Sequence, residues 1–301
     1  YPVKPGLTIG HEPVGTIEAL GSEVKGYSLG QRVIAGAINP CGKCSPCLDG
    51  TQAQCGGKPM GGWRFGNTID GAQAEFLLVP NAEANLAAVP DQLTDEEVLM
   101  CPDIMSTGIA GAESGKIKIG DSVAVFAQGP IGLCATLGAR LSGASTIYTV
   151  DSHEKRLMIS KHVGSDVAIN YQQRDPVAAI LELTQGRGVD VAIEALGTEG
   201  TFQSFLRVLK PGGTLSSLGV YAKDVRLPLD AFCAGLGDHK IVTTLCPGGK
   251  ERMRRLMSLI SSKRVDLKPL VTHRFKLSEI EAAYELFSHQ RDGVLKVAIT
   301  P

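Results

Sequence analysis

The 301-residue sequence lacks an excess of charge of either sign: 30 Lys and Arg stand against 31 Asp and Glu, a formal net charge of −1. That balance removes the electrostatic case for nucleic acid or an anionic membrane as a partner. The longest run of like charge is too short to act as a tail. Long apolar runs are scarce as well. The one stretch that could pass for a membrane span, residues 123–141, is interrupted by Gly129, Pro130, Gly132 and Gly138, and reads better as strand, turn and helix. No secretory signal opens the chain, and no internal repeat or low-complexity segment is present. A cytoplasmic protein is expected.

What the chain does have is apolar material for two globular domains, at 43% hydrophobic residues. Its middle alternates short runs rich in Val, Ile and Thr with longer helical patterns. Strands are expected at 123–126, 146–150, 167–170, 189–193, 214–218 and 241–245, and helices at 131–141, 154–162, 176–183 and 201–209. Strands separated by helices build a parallel sheet covered on both faces, so residues 108–247 are expected to form a doubly wound α/β domain that binds a nucleotide. The first hundred residues differ. Short glycine-punctuated strands at 14–20, 32–37 and 74–79 suggest an irregular β lobe. After Pro247-Gly248-Gly249 come two amphipathic helices, 251–262 and 278–289, and a last strand, 294–299; this tail has no evident sheet of its own and is expected to complete the first lobe. The expected division is therefore 1–107 with 248–301, and 108–247.

Four of the eight cysteines, Cys41, Cys44, Cys47 and Cys55, fall within fifteen residues in the spacing C-x2-C-x2-C-x7-C. Thiolates are the ligands Zn2+ holds most tightly, four of them fill its tetrahedral shell, and Gly42, Pro46, Asp49 and Gly50 let a short loop close round one ion. Two disulfides, or a run of buried small residues, are the alternatives. Disulfides are disfavoured because Cys101, Cys134, Cys233 and Cys246 are scattered through apolar segments, the habit of a reduced protein. A site closed by four sulfurs leaves no position for substrate, so it braces a lobe.

A nucleotide site is read from Ala127-Gln128-Gly129-Pro130-Ile131-Gly132, which follows a strand and opens a helix. In the fingerprint G-x-G-x-x-G the second glycine admits the pyrophosphate and the third lets helix and strand pack closely; Gly129 and Gly132 fill those places and Ala127 departs at the first. Phosphates would sit on free N–H groups at the helix N-terminus. Asp151, nineteen residues beyond Gly132 and just after the second strand, is placed to bind the adenosine ribose hydroxyls and to repel a 2′-phosphate, which favours NAD over NADP. The alternative reading is an acidic residue capping the next helix.

Three further groups stand out: Gly10-His11-Glu12, the sole Trp at 63, and Asp103 after Pro102. Singly, each is ordinarily structural: a turn histidine, a core tryptophan, a helix-capping aspartate. Together, His11 and Asp103 flank the cysteine loop and could give nitrogen and oxygen ligands to a second zinc with an open position. Three protein ligands are normally needed and only two are found.

On these residues the chain resembles the zinc-dependent medium-chain alcohol dehydrogenases, and within them the bacterial secondary alcohol dehydrogenases, along nearly its whole length. Gly10-His11-Glu12 is similar to the family's catalytic-zinc motif, Asp103 stands at an Asp or Cys ligand, and the four cysteines match its structural-zinc loop. Gly61-Gly62-Trp63-Arg64-Phe65 and Leu245-Cys246-Pro247-Gly248-Gly249 are narrower points of likeness. The resemblance implies a Rossmann domain beside a mainly β GroES-like catalytic domain. It also implies two zinc ions and NAD in a cleft between lobes, with hydride transfer between a small secondary alcohol, or its ketone, and the nicotinamide. By the same resemblance Thr107 touches the nicotinamide and Arg156 lies near the ribose. Ala195, Leu196, Leu218 and Val220 line the cofactor cleft, Lys296 lies at the pyrophosphate, and Trp63 walls the alkyl pocket. Glu12 orients the zinc site. A homodimer or homotetramer is implied, joined at the edges of the nucleotide-domain sheets.

The family's first catalytic-zinc ligand is a cysteine some dozens of residues before the G-H-E motif, followed by a Ser or Thr that relays the alcohol proton. Only nine residues precede Gly10, so both groups are expected in a segment ahead of Tyr1. Loss of that segment would uncover apolar surface in the first lobe. The other readings are a polyol, threonine or formaldehyde dehydrogenase of the same fold, and an inactive NAD-binding form.

Overall fold

A computed structural model describes residues 3–301 of the chain. The strands, in chain order, are β1 (Val14–Thr16), β2 (Arg32–Ala35), β3 (Leu86–Ala88), β4 (Ser122–Phe126), β5 (Thr146–Asp151), β6 (Val167–Asn170), β7 (Val189–Glu194), β8 (Leu209–Ser217), β9 (Lys240–Thr243), β10 (Val271–Lys276) and β11 (Lys296–Thr300). The longer helices are α1 (Ser106–Ser114), α2 (Pro130–Leu141), α3 (Glu154–Val163), α4 (Pro176–Leu183), α5 (Glu199–Val208), α6 (Lys250–Ser261) and α7 (Ile280–Ser288). The chain divides into two compact units, Tyr1–Ser106 with Cys246–Pro301, and Thr107–Leu245.

The second unit is built on a six-stranded parallel sheet in the order β6-β5-β4-β7-β8-β9. Its central strand β4 reads as an almost unbroken apolar run because both faces of the sheet are covered there. Along β4, side chains alternate between two cores. Val123 and Val125 pack with Ala135, Ala139, Ile147, Ile193 and Leu218. Ala124 and Phe126 pack with Tyr148, Val150, Ile180, Phe205 and Leu206. The rings of Phe126 and Phe205 meet edge to face at 4.4 Å. This strand order reverses direction between β4 and β7, and a crevice at such a reversal, outside the carboxyl ends of the strands, is where open α/β sheets bind ligands.

The first unit carries a small antiparallel sheet, β1-β2-β3, over a core that includes Ile17, Val33, Phe65 and Leu86. The tail is not without a sheet, contrary to expectation: β10 and β11 pair in parallel. β10 is not legible in the sequence because Thr272, Arg274 and Lys276 give it one polar face and His273 interrupts the other. The strand expected at 74–79 does not form, since its alternating residues find no ladder partner among the described residues. Phe76 and Leu78 of that segment are largely exposed. β8 begins earlier than expected, at Leu209, and runs through Pro211 with a register shift. Among the described residues no helix is long and apolar enough to cross a membrane.

Candidate metal centres and dinucleotide site

The cysteine loop is wound tightly enough to hold one ion. Cys44 precedes a single helical turn, Ser45–Leu48, with Pro46 inside it, and left-handed glycines at 42 and 50 close the loop on either side. The Cys44 sulfur lies 3.3 Å from that of Cys47 and 3.8 Å from that of Cys55, and the Cys41 sulfur is 4.0 Å from that of Cys47. All four sulfurs lie within 4.8 Å of one another. A tetrahedron with Zn–S of about 2.3 Å has edges of about 3.8 Å, so the fit to zinc is good. The N–H groups of Cys41 and Gly56 point at the sulfurs of Cys55 and Cys44. The Gly56 N–H above all brings the Cys44 thiol down to about 6, whereas burial pushes Cys47 up to about 12. A dication supplies the charge that lets all four exist as thiolates.

His11 is positioned by the backbone before it. Gly10 has φ +98°, a conformation that a side chain would strain, and segment 8–10 is stitched to 71–73 by Gly71 N–H to Thr8 C=O, Ala72 N–H to Gly10 C=O and Gln73 N–H to Ile9 C=O. Asp103 comes from a widened turn, Cys101–Met105, in which the Met105 N–H reaches the Met100 carbonyl five residues back at 2.8 Å. The two side chains meet: Nε2 of His11 is 3.0 Å from Oδ2 of Asp103. Trp63 stands edge-on to the imidazole with ring centroids 5.6 Å apart. Burial pulls the His11 pKa down, but the hydrogen bond and charge of Asp103, with the charge of Glu12, outweigh it and leave it raised.

Glu12 forms a partly buried ion pair with Lys296 at the start of β11 through Oε2, while its Oε1 is buried with no hydrogen-bond partner among the described residues. An orphaned carboxylate oxygen beside a His–Asp pair is an anionic pocket suited to a cation. The donor set of one imidazole and one carboxylate fits zinc chemically and is two ligands short of a closed shell. Among the described residues only the four cysteines form a group of three or more clustered metal-ligating side chains.

In the second unit the turn from β4 to α2 has the geometry of a phosphate loop. Ala127 holds φ +62°, a left-handed value that glycine takes without strain, so the turn keeps the backbone shape of the first fingerprint glycine at a cost to the alanine that replaces it. Gly132 is required, since a Cβ there would overlap the Ala127 carbonyl oxygen, while a Cβ on Gly129 would meet nothing within 4 Å. That opening lies at the start of α2, where Pro130 occupies the first turn and the N–H groups of Ile131 and Gly132 precede the first intrahelical bond, from Leu133 N–H to the Gly129 carbonyl. The Asp151 carboxylate, nearly buried at the end of β5, accepts from the Gln128 N–H at 2.7 Å and so ties the loop to the second strand. Arg156 approaches the same carboxylate to 4.0 Å.

Thr107 is buried at the start of α1. Beyond β7, Leu196 is half-exposed and Val220 exposed, while Leu218 is packed into the core. A residue that motif reasoning missed organises this corner. Glu194, the fully buried last residue of β7, accepts from the N–H groups of Leu196 and Gly197, both at 2.8 Å, and from the hydroxyls of Thr201 and Tyr221. It fixes the turn Ala195–Gly197. Its one sequence signal is an acid ending the apolar run Val191-Ala192-Ile193.

With both sites in view, the chain's likeness to known proteins becomes decisive. Residues 1–91 match the alcohol dehydrogenase GroES-like domain, and residues 130–262 the zinc-binding dehydrogenase domain. An alcohol dehydrogenase of Cupriavidus necator is 62% identical over the whole of this chain and 86% of its own length. The chain belongs to the zinc-dependent medium-chain alcohol dehydrogenases. An NADP-dependent isopropanol dehydrogenase of Thermoanaerobacter brockii is 38% identical over 97% of this chain and 84% of its own. Among solved structures, zinc-dependent alcohol dehydrogenase 2 from Streptococcus pneumonia superposes with a TM-score of 0.90 at 36% identity, covering 99% of this chain and 83% of that one. The two-domain α/β fold and zinc-dependent alcohol oxidoreduction thus attach to this medium-chain dehydrogenase, with a small alcohol or its carbonyl product as substrate.

Proposed function

We propose that this chain is an NAD-linked dehydrogenase of small secondary alcohols, working reversibly as a ketone reductase. The observation that carries the reading is the 3.0 Å approach of His11 Nε2 to Asp103 Oδ2 beside the unpartnered Glu12 oxygen. His11 and Asp103 are the zinc ligands. When bound, zinc polarises the alcohol oxygen as a Lewis acid and the nicotinamide accepts the hydride. Glu12, steadied by Lys296, balances the cation's charge and orients the site. Trp63, packed against His11, walls a compact apolar pocket, which favours a secondary alkyl alcohol over a polyol. Gly129 to Gly132 receive the pyrophosphate, Asp151 and Arg156 the adenosine ribose, and Thr107 with the loops at 195–196 and 218–220 the nicotinamide half. The units Tyr1–Ser106 with Cys246–Pro301, and Thr107–Leu245, serve as the catalytic and NAD-binding domains. The chain works in the cytoplasm as a dimer or tetramer.

The Asp151 carboxylate supports NAD; the name of the Thermoanaerobacter brockii relative favours NADP as a second reading. Specificity constants for 2-propanol, 2-butanol, a polyol and threonine, each with NAD and with NADP, test both choices. A preference for 2-propanol or 2-butanol with NAD is expected, and a preference for the polyol or for NADP contradicts the corresponding half.

A further inference from the structure

The turn that carries Asp103 is wound against the regular helical pattern. In Cys101–Met105 the Met105 N–H reaches the Met100 carbonyl, one residue farther back than in an α-helix, and the chain runs on without a break into α1 at Ser106. Such widened turns are rare, because the four-residue pattern is the more favourable one. Relaxation to that pattern by one residue would swing Asp103 by about 100° around the helix axis and carry it away from His11. A contact from outside the turn has to oppose this.

Arg252, in the first turn of α6, grips the end of the turn at two points. Its Nε donates to the Ser106 hydroxyl at 3.0 Å, and a terminal guanidinium nitrogen donates to the Ser106 carbonyl at 2.8 Å. Ser106 is fully buried and transmits the constraint: its N–H donates to the Asp103 carbonyl, and its hydroxyl donates to the Pro247 carbonyl at 2.7 Å. The Pro102 carbonyl takes the Ala37 N–H at 2.9 Å, and the buried Cys246 thiol lies 3.6 Å from it. All of these residues belong to the first unit. A guanidinium presents its donors as a rigid fork, which matches a hydroxyl and a carbonyl of one residue; an ammonium is a single point of charge.

We propose that Arg252 is a positioning residue for the catalytic metal: by locking Ser106 it holds the widened turn, and so keeps the Asp103 carboxylate opposite His11. This rests on the reading of His11 and Asp103 as zinc ligands. The sign of the effect separates positioning from charge. Arg252 is a cation bonded three residues from a metal ligand, so on charge alone its removal would tighten the binding of another cation. Loss of positioning works in the opposite direction, since groups that orient a ligand from behind are worth about 10- to 100-fold in metal affinity.

The test is cobalt binding to the chelator-treated full chain, followed by the visible absorption of the bound ion, in the wild type, Arg252→Met and Arg252→Lys. Methionine keeps aliphatic bulk and removes the fork. The four-cysteine site, recognised by its thiolate-to-cobalt absorption, is the reference within the same molecule. In Arg252→Met the His11 site is expected to bind cobalt about tenfold more weakly while the cysteine site keeps its affinity, and Arg252→Lys is expected to fall between that variant and the wild type. Unchanged or tighter binding at the His11 site, or equal weakening at both sites, would overturn the proposal alone. Should Arg252→Met fail to fold, Ser106→Ala, which removes one arm of the grip, is read in its place. It is expected to weaken the His11 site about fivefold, the worth of one hydrogen bond, and wild-type affinity there would overturn the proposal. A wild-type chain that takes up cobalt at the cysteines only would overturn the reading of His11 and Asp103 as ligands, and this proposal with it.

Discussion

His11 and Asp103, ninety-two positions apart in sequence, meet at 3.0 Å between Nε2 and Oδ2. A proton bridges them now and a metal ion would replace it, so the two occupants compete. The folded-state pKa of His11 is raised above its ordinary 6.5. The pair therefore stabilises the metal-free chain fully below pH 6.5 and less as pH rises through the raised value. Metal uptake runs the other way, because the ligand must be neutral. Cobalt or zinc titrations of the chelator-treated protein at pH 5.5 and 8 should show the His11 site filling far more weakly at the lower pH. Equal affinity at both would mean that His11 is not a ligand.

The cysteine loop gives a separate expectation. Cys47→Ser removes one of four thiolates and should lower zinc content by one ion per chain and the melting temperature by several degrees, while NADH still binds. Metal analysis by plasma emission and a thermal melt check it. Loss of NADH affinity with intact zinc would place the loop's role elsewhere.

Much of this fold and of the cysteine site is legible in the sequence. The parallel sheet was readable because Val123, Val125, Val191 and Ile193 sit in apolar runs that only a doubly covered sheet produces, and the cysteine spacing pointed to its tetrahedron. What escaped detection depends on pairing or on turns. Residues 74–79 alternate like a strand yet find no ladder partner among the described residues, and β10 pairs although four of its six side chains are polar. Glu194 acts through backbone N–H groups of a turn whose shape no local spacing encodes.

Two substitutions in the β4–α2 turn separate strain from clash. Ala127→Gly relieves a left-handed alanine, worth about 1–2 kcal/mol, against about 0.5–1 kcal/mol of added unfolded-state entropy, so stability should rise slightly or stay level. Gly132→Ala drives a methyl into the Ala127 carbonyl and should cost about 3 kcal/mol and weaken NADH binding. Urea denaturation and NADH titration measure both. A silent Gly132→Ala would contradict the described turn.

Acid sensitivity should have an identifiable contributor near the turn that bears Asp103. The Thr94 N–H first, then its hydroxyl and the Lys268 ammonium, hold the Glu97 carboxyl down at about 2 in a reciprocal capping box. A depressed folded-state value means stability present above the ordinary 4.5 and lost as pH falls from there toward about 2. Because the group is partly solvated, Glu97→Ala should cost about 1 kcal/mol at pH 7, and the difference from wild type should shrink steadily below pH 4.5. Urea midpoints across that range decide it; a difference independent of pH would point to lost packing instead.

Zinc content and alcohol-dependent NADH formation, measured side by side on the full-length wild type and on His11→Ala, bear most directly on the proposed catalytic centre. Two zinc ions per chain and turnover of 2-propanol are expected in the wild type. One zinc, with turnover lower by about a thousandfold or more, is expected in the variant, the loss of several kcal/mol of Lewis-acid stabilisation. A variant that keeps both its metal and its rate would contradict the assignment of His11 as a catalytic zinc ligand.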